Sequence, residues 1–372
     1  MVAMATSVLR AQALRLERMR ASPRFSGGVF HNTARVAPGL KPGTALPLLS
    51  ELLSGGARRV PIAPLPSRSP LEAWARAPET GLRATWLGHS TLLLEIDGAR
   101  VLTDPVWQER ASPLSFAGPR RFQPVPVPIS ALPPLDAVVI SHDHYDHLDL
   151  SAVLELARRG ARFYTSLGVG AHLEGAGVPA ERIVELDWWE SAEVPGRELR
   201  VTATPSQHFS GRGVGDRNRT LWSSMVLSGP RHRAFFSGDT GLTAEYADIA
   251  ARLGPFDLVM LEVGAFHPAW GDIHLGPAGA LDALRLLGGG SFLPVHWGTF
   301  NLALHAWDEP AERLLELAPT RGVELLMPRL GEAVEPARAP RLEPWWRAVS
   351  VLERRAPAAA GEGLRAVSEP ID

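Results

Sequence analysis

The sequence contains no cysteine, which removes disulfides, thiolate nucleophiles and thiolate metal ligands together. Any metal must then be held by imidazole and carboxylate. Long apolar runs are also missing: 137–140 and 258–261 are short and aliphatic, as buried strands are, and far below the length of a membrane span. Lysine is nearly absent, Lys41 being the single one, and the formal net charge is −2. Nothing in that balance favours a polyanionic partner, so no nucleic acid is expected. The first twenty residues lack the uninterrupted apolar core of a secretory signal. There Arg10, Arg15, Arg18 and Arg20 alternate with Val8, Leu9, Leu14, Leu16 and Met19. This reads as an amphipathic helix, packed on its own domain or lying on a membrane surface. A cytoplasmic protein is expected, with peripheral membrane contact and a homodimer left open.

What is present is a chain of 372 residues, 45% hydrophobic, enough to close a large core. Pro and Gly clusters at 38–43 and 61–70 mark residues 1–80 as an irregular N-terminal leader. Regular patterning occupies 81–334, and 335–372, rich in Ala, Arg, Pro and Glu, reads as a C-terminal arm and tail. Ala84–Leu87 and Thr91–Ile96 alternate as strands, Asp97-Gly98 forms a tight turn, and Arg100–Thr103 returns. Further strands are predicted at 136–141, 162–165, 182–186, 199–204, 221–227, 233–237, 256–262, 291–295 and 323–327. Helices are predicted at 150–159, 168–176, 242–253, 277–287 and 309–317. That mixture implies a layered α/β domain.

The chemistry concentrates at residues 142–147, His-Asp-His-Tyr-Asp-His. His142 and His144 follow an apolar strand, and in extended backbone their spacing puts both imidazoles on one face, roughly 7 Å apart by strand rise. Asp146 and His147 precede a helix that Asp149 or Ser151 can cap. The chain turns there, which aims the second pair at a neighbouring ion. Two half-sites of two ligands each are incomplete and demand further ligands at strand ends. His208, Asp239 and His296 each follow a predicted strand. Taken singly, each has a plainer reading: a satisfied loop histidine, or for Asp239 a cap on helix 242–253.

These segments, with His296-Trp297-Gly298-Thr299-Phe300, resemble the metallo-β-lactamase superfamily. Within it the chain is similar to the N-acyl phosphatidylethanolamine phospholipase D branch and its bacterial relatives. Trp86–Thr91, Leu102–Val106, Gln207-His208, Leu221-Trp222 and Gly254–Leu258 carry that narrower likeness. The phosphorylated-lactone hydrolases of the superfamily are similar as well. The resemblance implies an αβ/βα sandwich of two mixed β-sheets flanked by helices. It further implies two zinc ions, with His142, His144 and His208 on one, Asp146, His147 and His296 on the other, and Asp239 bridging. Manganese or iron would suit the same ligands.

Two such ions activate a shared water and neutralise an in-line phosphoryl transition state. Asp146 would orient the water, and His274 matches an active-site histidine of the family, with helix capping as its plainer role. The expected activity is a phosphodiesterase of phospholipase D type acting on a phospholipid or smaller phosphodiester. Alternatives are a lactone or carbonyl ester hydrolase, a nuclease, or a metal-stabilised binding protein. His89 reads equally as a partner orienting a ligand or as strand-end packing. Arg212, Arg217 and Arg219 read as a phosphate clamp or a solvated loop. Tyr145 could offer its hydroxyl to substrate or pack its ring. Trp188-Trp189, Trp270 and Trp345-Trp346 could line an acyl groove or fill core.

Overall fold

A computed structural model describes residues 2–36, 41, 43, 44, 46, 48, 50, 51 and 58–355. Most of the Pro and Gly cluster at 38–43, the tail beyond Arg355, and the side chains of Val8, Leu9 and Arg10 lie outside the described residues.

A helix over Val2–Ala21 leads into a short hairpin of β1 (Phe25–Ser26) and β2 (Val29–Phe30). The hairpin at the start of the sheet region forms as its sequence dictates. β3 (Leu82–Gly88), β4 (Thr91–Ile96) and β5 (Ala99–Thr103) run antiparallel. Ile96 pairs with Ala99 across Asp97-Gly98, whose φ values of 49° and 86° are those of a turn that only Asn, Asp and Gly enter readily. From β5 the sheet continues in parallel through β6 (Ala137–Ile140), β7 (Phe163–Ser166) and β8 (Ile183–Leu186). The second sheet begins with β9 (Ser191–Glu193), β10 (Arg200–Thr204), β11 (Ser224–Ser228) and β12 (Arg233–Phe236), all antiparallel. It ends with β13 (Leu258–Glu262) and β14 (Ser291–Val295) in parallel. β15 (Ala333–Val334) closes the first sheet against β3.

Period-two burial sorts the strands between layers. Leu92 and Leu94 of β4, Val101 of β5 and Val139 of β6 face the second sheet. Leu93, Leu102, Val138 and Ile140 face outward onto Ala152, Val153 and Leu156 of the helix Leu150–Arg158. β6 is thus covered on both sides, which is why it reads as an unbroken apolar run. Helices Glu245–Leu253, Gly276–Leu286 and Glu309–Leu317 contribute Ile249, Leu281 and Leu314 to the core of the second sheet. No helix among the described residues is long and apolar enough to cross a membrane.

Two expectations change, and one pair of alternatives is decided. Residues 323–327 form only a bridge from Leu325 to Phe292, next to left-handed Gly322 and ahead of donorless Pro328. β11 starts at Ser224 rather than 221, since the N–H groups of Leu221 and Ser223 cross to the first sheet and donate to Leu167 and Ser141. Trp345 and Trp346 line no groove: both are buried against Trp297, at ring-centroid distances of 5.8 and 5.6 Å, with Trp297 stacked on Trp86.

Candidate metal centre

β10 and β12 are both antiparallel to β11, and β12, β13 and β14 are mutually parallel, so their C-terminal ends share one edge of the second sheet. β3, β5 and β6 end at one edge of the first sheet for the same reason. Every sequence-predicted ligand follows one of these ends, and the structure brings all seven together. The aspartate reaches its place because Gly238 takes φ 55°; a Cβ there would come within 2.5 Å of Ser141 Cβ. His296 likewise depends on Gly264, where a Cβ would meet the His296 carbonyl oxygen at 1.9 Å.

The side chains form two clusters. In one, His142 Nε2 lies 2.9 Å from His144 Nδ1, which lies 3.3 Å from His208 Nε2. In the other, Asp146 Oδ2 lies 3.5 Å from His147 Nε2 and 3.3 Å from His296 Nε2. Asp239 divides between them. Its Oδ1 is 3.1 Å from His147 Nε2 and 3.2 Å from His296 Nε2, while its Oδ2 is 3.9 and 3.7 Å from Nε2 of His142 and His208. Asp239 therefore does not cap the following helix, which begins at Glu245.

A divalent cation fits what these atoms lack. His147 Nε2, His296 Nε2 and Asp239 Oδ1 are buried without a hydrogen-bond partner, an arrangement costing about 1–3 kcal/mol per group if nothing else satisfied it. The far nitrogens of three of these histidines are already committed. His147 Nδ1 meets Asp104 Oδ2 at 2.6 Å, His208 Nδ1 donates to the Ile273 carbonyl at 3.0 Å, and His142 Nδ1 lies 2.9 Å from Ser141 Oγ. Such bonds fix the rings so that their other nitrogens converge. The electrostatics without a cation are conflicted. Burial and neighbouring imidazoles push His142 far down; against burial, Asp239 and Asp146 hold His147 well up and Asp239 lifts His296 to about 10.

Around the clusters, His89 is buried, and its Nε2 approaches Asp146 Oδ2 at 3.0 Å. It sits inside the second cluster and is not simple strand-end packing. His274 stands with its ring 5.1 Å from His208 and 5.6 Å from His296. Burial lowers its pKa, but the Glu262 carboxylate beside Nδ1 outweighs that and leaves it raised. His144, Asp146 and His274 are only half-buried and mark the mouth.

Several alternatives left open by the sequence are decided by contacts. Arg212 donates from Nη1 to the carbonyls of Asp143 and Leu148 and lies 4.0 Å over the Tyr145 ring, so it braces its loop and does not reach for phosphate. Arg217 lies over Phe209, and Arg219 is exposed. Tyr145 donates its hydroxyl to the Arg212 carbonyl. Trp188 is buried beside Phe30 and Trp222, Trp189 lies under Arg252, and Trp270 approaches the His274 ring. Asp104 and Glu262 were missed as site residues. Their signal was a carboxylate ending or following an apolar strand, in Leu102-Thr103-Asp104 and Val259-Met260-Leu261-Glu262.

A family model, the β-lactamase superfamily domain, matches residues 99–297. An uncharacterized protein of Mycobacterium tuberculosis is 49% identical over 331 residues, covering 88% of each chain. The N-acyl-phosphatidylethanolamine-hydrolyzing phospholipase D 1 of Caenorhabditis elegans is 39% identical over 254 residues, 65% of this chain and 71% of that one. Among solved structures, the isothiocyanate hydrolase from Delia radicum gut bacteria superposes with a TM-score of 0.55 at 24% identity, covering 68% of this chain and 98% of that one. That last likeness is one of fold alone.

Proposed function

The chain belongs to the β-lactamase superfamily, with the metallo-β-lactamase fold of its metal-dependent hydrolases, and from that premise we propose that it is a dinuclear, zinc-dependent phosphodiesterase of phospholipase D type. Its substrate in this reading is N-acyl phosphatidylethanolamine or a related phosphodiester. The observation that carries it is the divided Asp239 carboxylate, one oxygen facing each cluster. The 39% identity to the nematode phospholipase points to the substrate class.

His142, His144 and His208 would hold one ion, Asp146, His147 and His296 the other, and Asp239 both; manganese or iron suits these donors too. Bound there, two ions supply an activated water and charge neutralisation at phosphorus. Asp146, whose Oδ2 also meets His89 Nε2 at 3.0 Å, orients the attacking water and takes part in its deprotonation. The new bond joins the water oxygen to phosphorus, and the bond from phosphorus to the headgroup oxygen breaks. His274, gripped at Nδ1 by Glu262, delivers a proton from Nε2 to that leaving oxygen.

Headgroup release from N-acyl phosphatidylethanolamine, plain phosphatidylethanolamine and bis(p-nitrophenyl) phosphate tests this. Release of N-acylethanolamine is expected. Hydrolysis of a lactone panel with every phosphodiester left intact would overturn the phosphodiesterase reading and leave the ester hydrolase.

A further inference from the structure

His142 and His296 stand one or two residues beyond a strand, but His208 lies four residues past β10 on a long connection to β11. Its backbone is fastened from outside. The side-chain amide of Asn32, 176 residues earlier, closes on it from both sides: the His208 N–H donates to Asn32 Oδ1 at 3.0 Å, and Asn32 Nδ2 donates to the His208 carbonyl at 2.8 Å. This is the paired exchange of an antiparallel ladder, made by a side chain. The indole N–H of Trp222 also donates to Asn32 Oδ1 at 3.0 Å, fixing the amide's orientation.

Asn32 is itself held. Phe30, fully buried beside Leu167, Trp188 and Trp222, donates its N–H to the Asn218 carbonyl at 2.7 Å. Upstream, Arg15 bridges Glu174 and Glu185. The N-terminal segment thus spans from edge strand β8 of the first sheet to the rim of the site, wholly outside the matched family region 99–297.

We infer that Asn32 is a positioning residue for His208, through which the N-terminal segment sets the metal affinity of the three-histidine cluster. This rests on the reading that His142, His144 and His208 hold an ion. The amide offers the required acceptor on one atom and the donor on its neighbour, as a backbone partner would. The substitution Asn32→Asp would keep the bonds from His208 N–H and Trp222 and lose the one to the carbonyl; Asn32→Leu would lose all three.

The test is zinc uptake by demetallated full-length protein against a competing chelator, with thermal melting alongside. Asn32→Leu is expected to weaken one of the two uptake steps about 10- to 100-fold and leave the other unchanged; Asn32→Asp should fall between. Thr33→Ala cuts the neighbouring bond to Glu245 without touching His208 and should match wild type in both steps. Equal affinities in wild type and Asn32→Leu, or equal weakening in Thr33→Ala, overturn the inference alone. Should Asn32→Leu fail to fold, an unchanged Asn32→Asp overturns it and a weakened step supports it. Wild-type protein that takes up no ion overturns the metal reading and the inference with it.

Discussion

Both oxygens of Glu262 face Nδ1 of His274, at 3.1 and 3.2 Å, and one also accepts the Leu275 N–H at 2.9 Å. An ionised carboxylate only accepts, so the imidazole hydrogen at Nδ1 is fixed and Nε2 is left for substrate. Glu262→Gln is expected to lower kcat about 10- to 100-fold, in the range of a lost orienting partner, with bound metal unchanged. His274→Asn should lose at least as much. Steady-state kinetics on the phosphodiester that proves active, paired with metal analysis, check this; loss of metal in Glu262→Gln would place the residue in the metal cluster instead.

Asp97 accepts from the N–H groups of Arg231 and His232 and from His232 Nδ1. Burial raises its pKa, but those bonds prevail and lower it. A carboxyl with a lowered folded pKa stabilises fully above its unfolded value, near 4, and loses that contribution as pH falls through the folded value. Asn tolerates the turn's positive φ, so Asp97→Asn should remove the charge and the acceptor at one of the two oxygens without disturbing the turn, and cost about 1–2 kcal/mol at pH 7. Thermal melts at pH 7 and pH 3 should show the gap to wild type shrinking at the lower pH.

Arg15, with Glu174 and Glu185, forms a largely buried ion triad that ties the first helix to the domain. Arg15→Met strands two carboxylates, although Glu185 keeps the N–H groups of Gly168 and Gly170. A loss of about 3 kcal/mol is expected, as for broken buried pairs. Denaturant unfolding measures it, and hydrogen exchange should show residues 12–21 losing protection first.

Trp345→Ala removes a ring packed on Trp86 and Trp297 and leaves the Met327 carbonyl without its indole donor. A cost of about 3–5 kcal/mol follows for a large aromatic deleted from core. An unchanged midpoint would mean that residues 340–346 do not seal the sandwich in solution.

The sequence was informative where the causes are local. The Asp97-Gly98 turn, the Asp149 cap on helix 150–158 and the apolar strands ending in His or Asp depend on neighbours within a few residues. Where the partner is distant, nothing in the pattern announces it. Asp104 orients His147 across 43 residues, Asn32 holds His208 across 176, and Arg212 turns inward onto Tyr145 and the carbonyls of Asp143 and Leu148, more than sixty residues away. Trp345-Trp346 was ambiguous because indoles serve grooves and cores alike, and only their packing against Trp297 decides. The strand at 323–327 had the apolar composition, but only Leu325 pairs, with Phe292 of edge strand β14.

Metal content per chain, measured on carefully purified wild type and on Asp239→Ala, tests the two-ion centre most directly. About two zinc or similar ions are expected for wild type, with most of both lost when the shared carboxylate is removed. A single ion or none in wild type, or a full complement retained by Asp239→Ala, would contradict it.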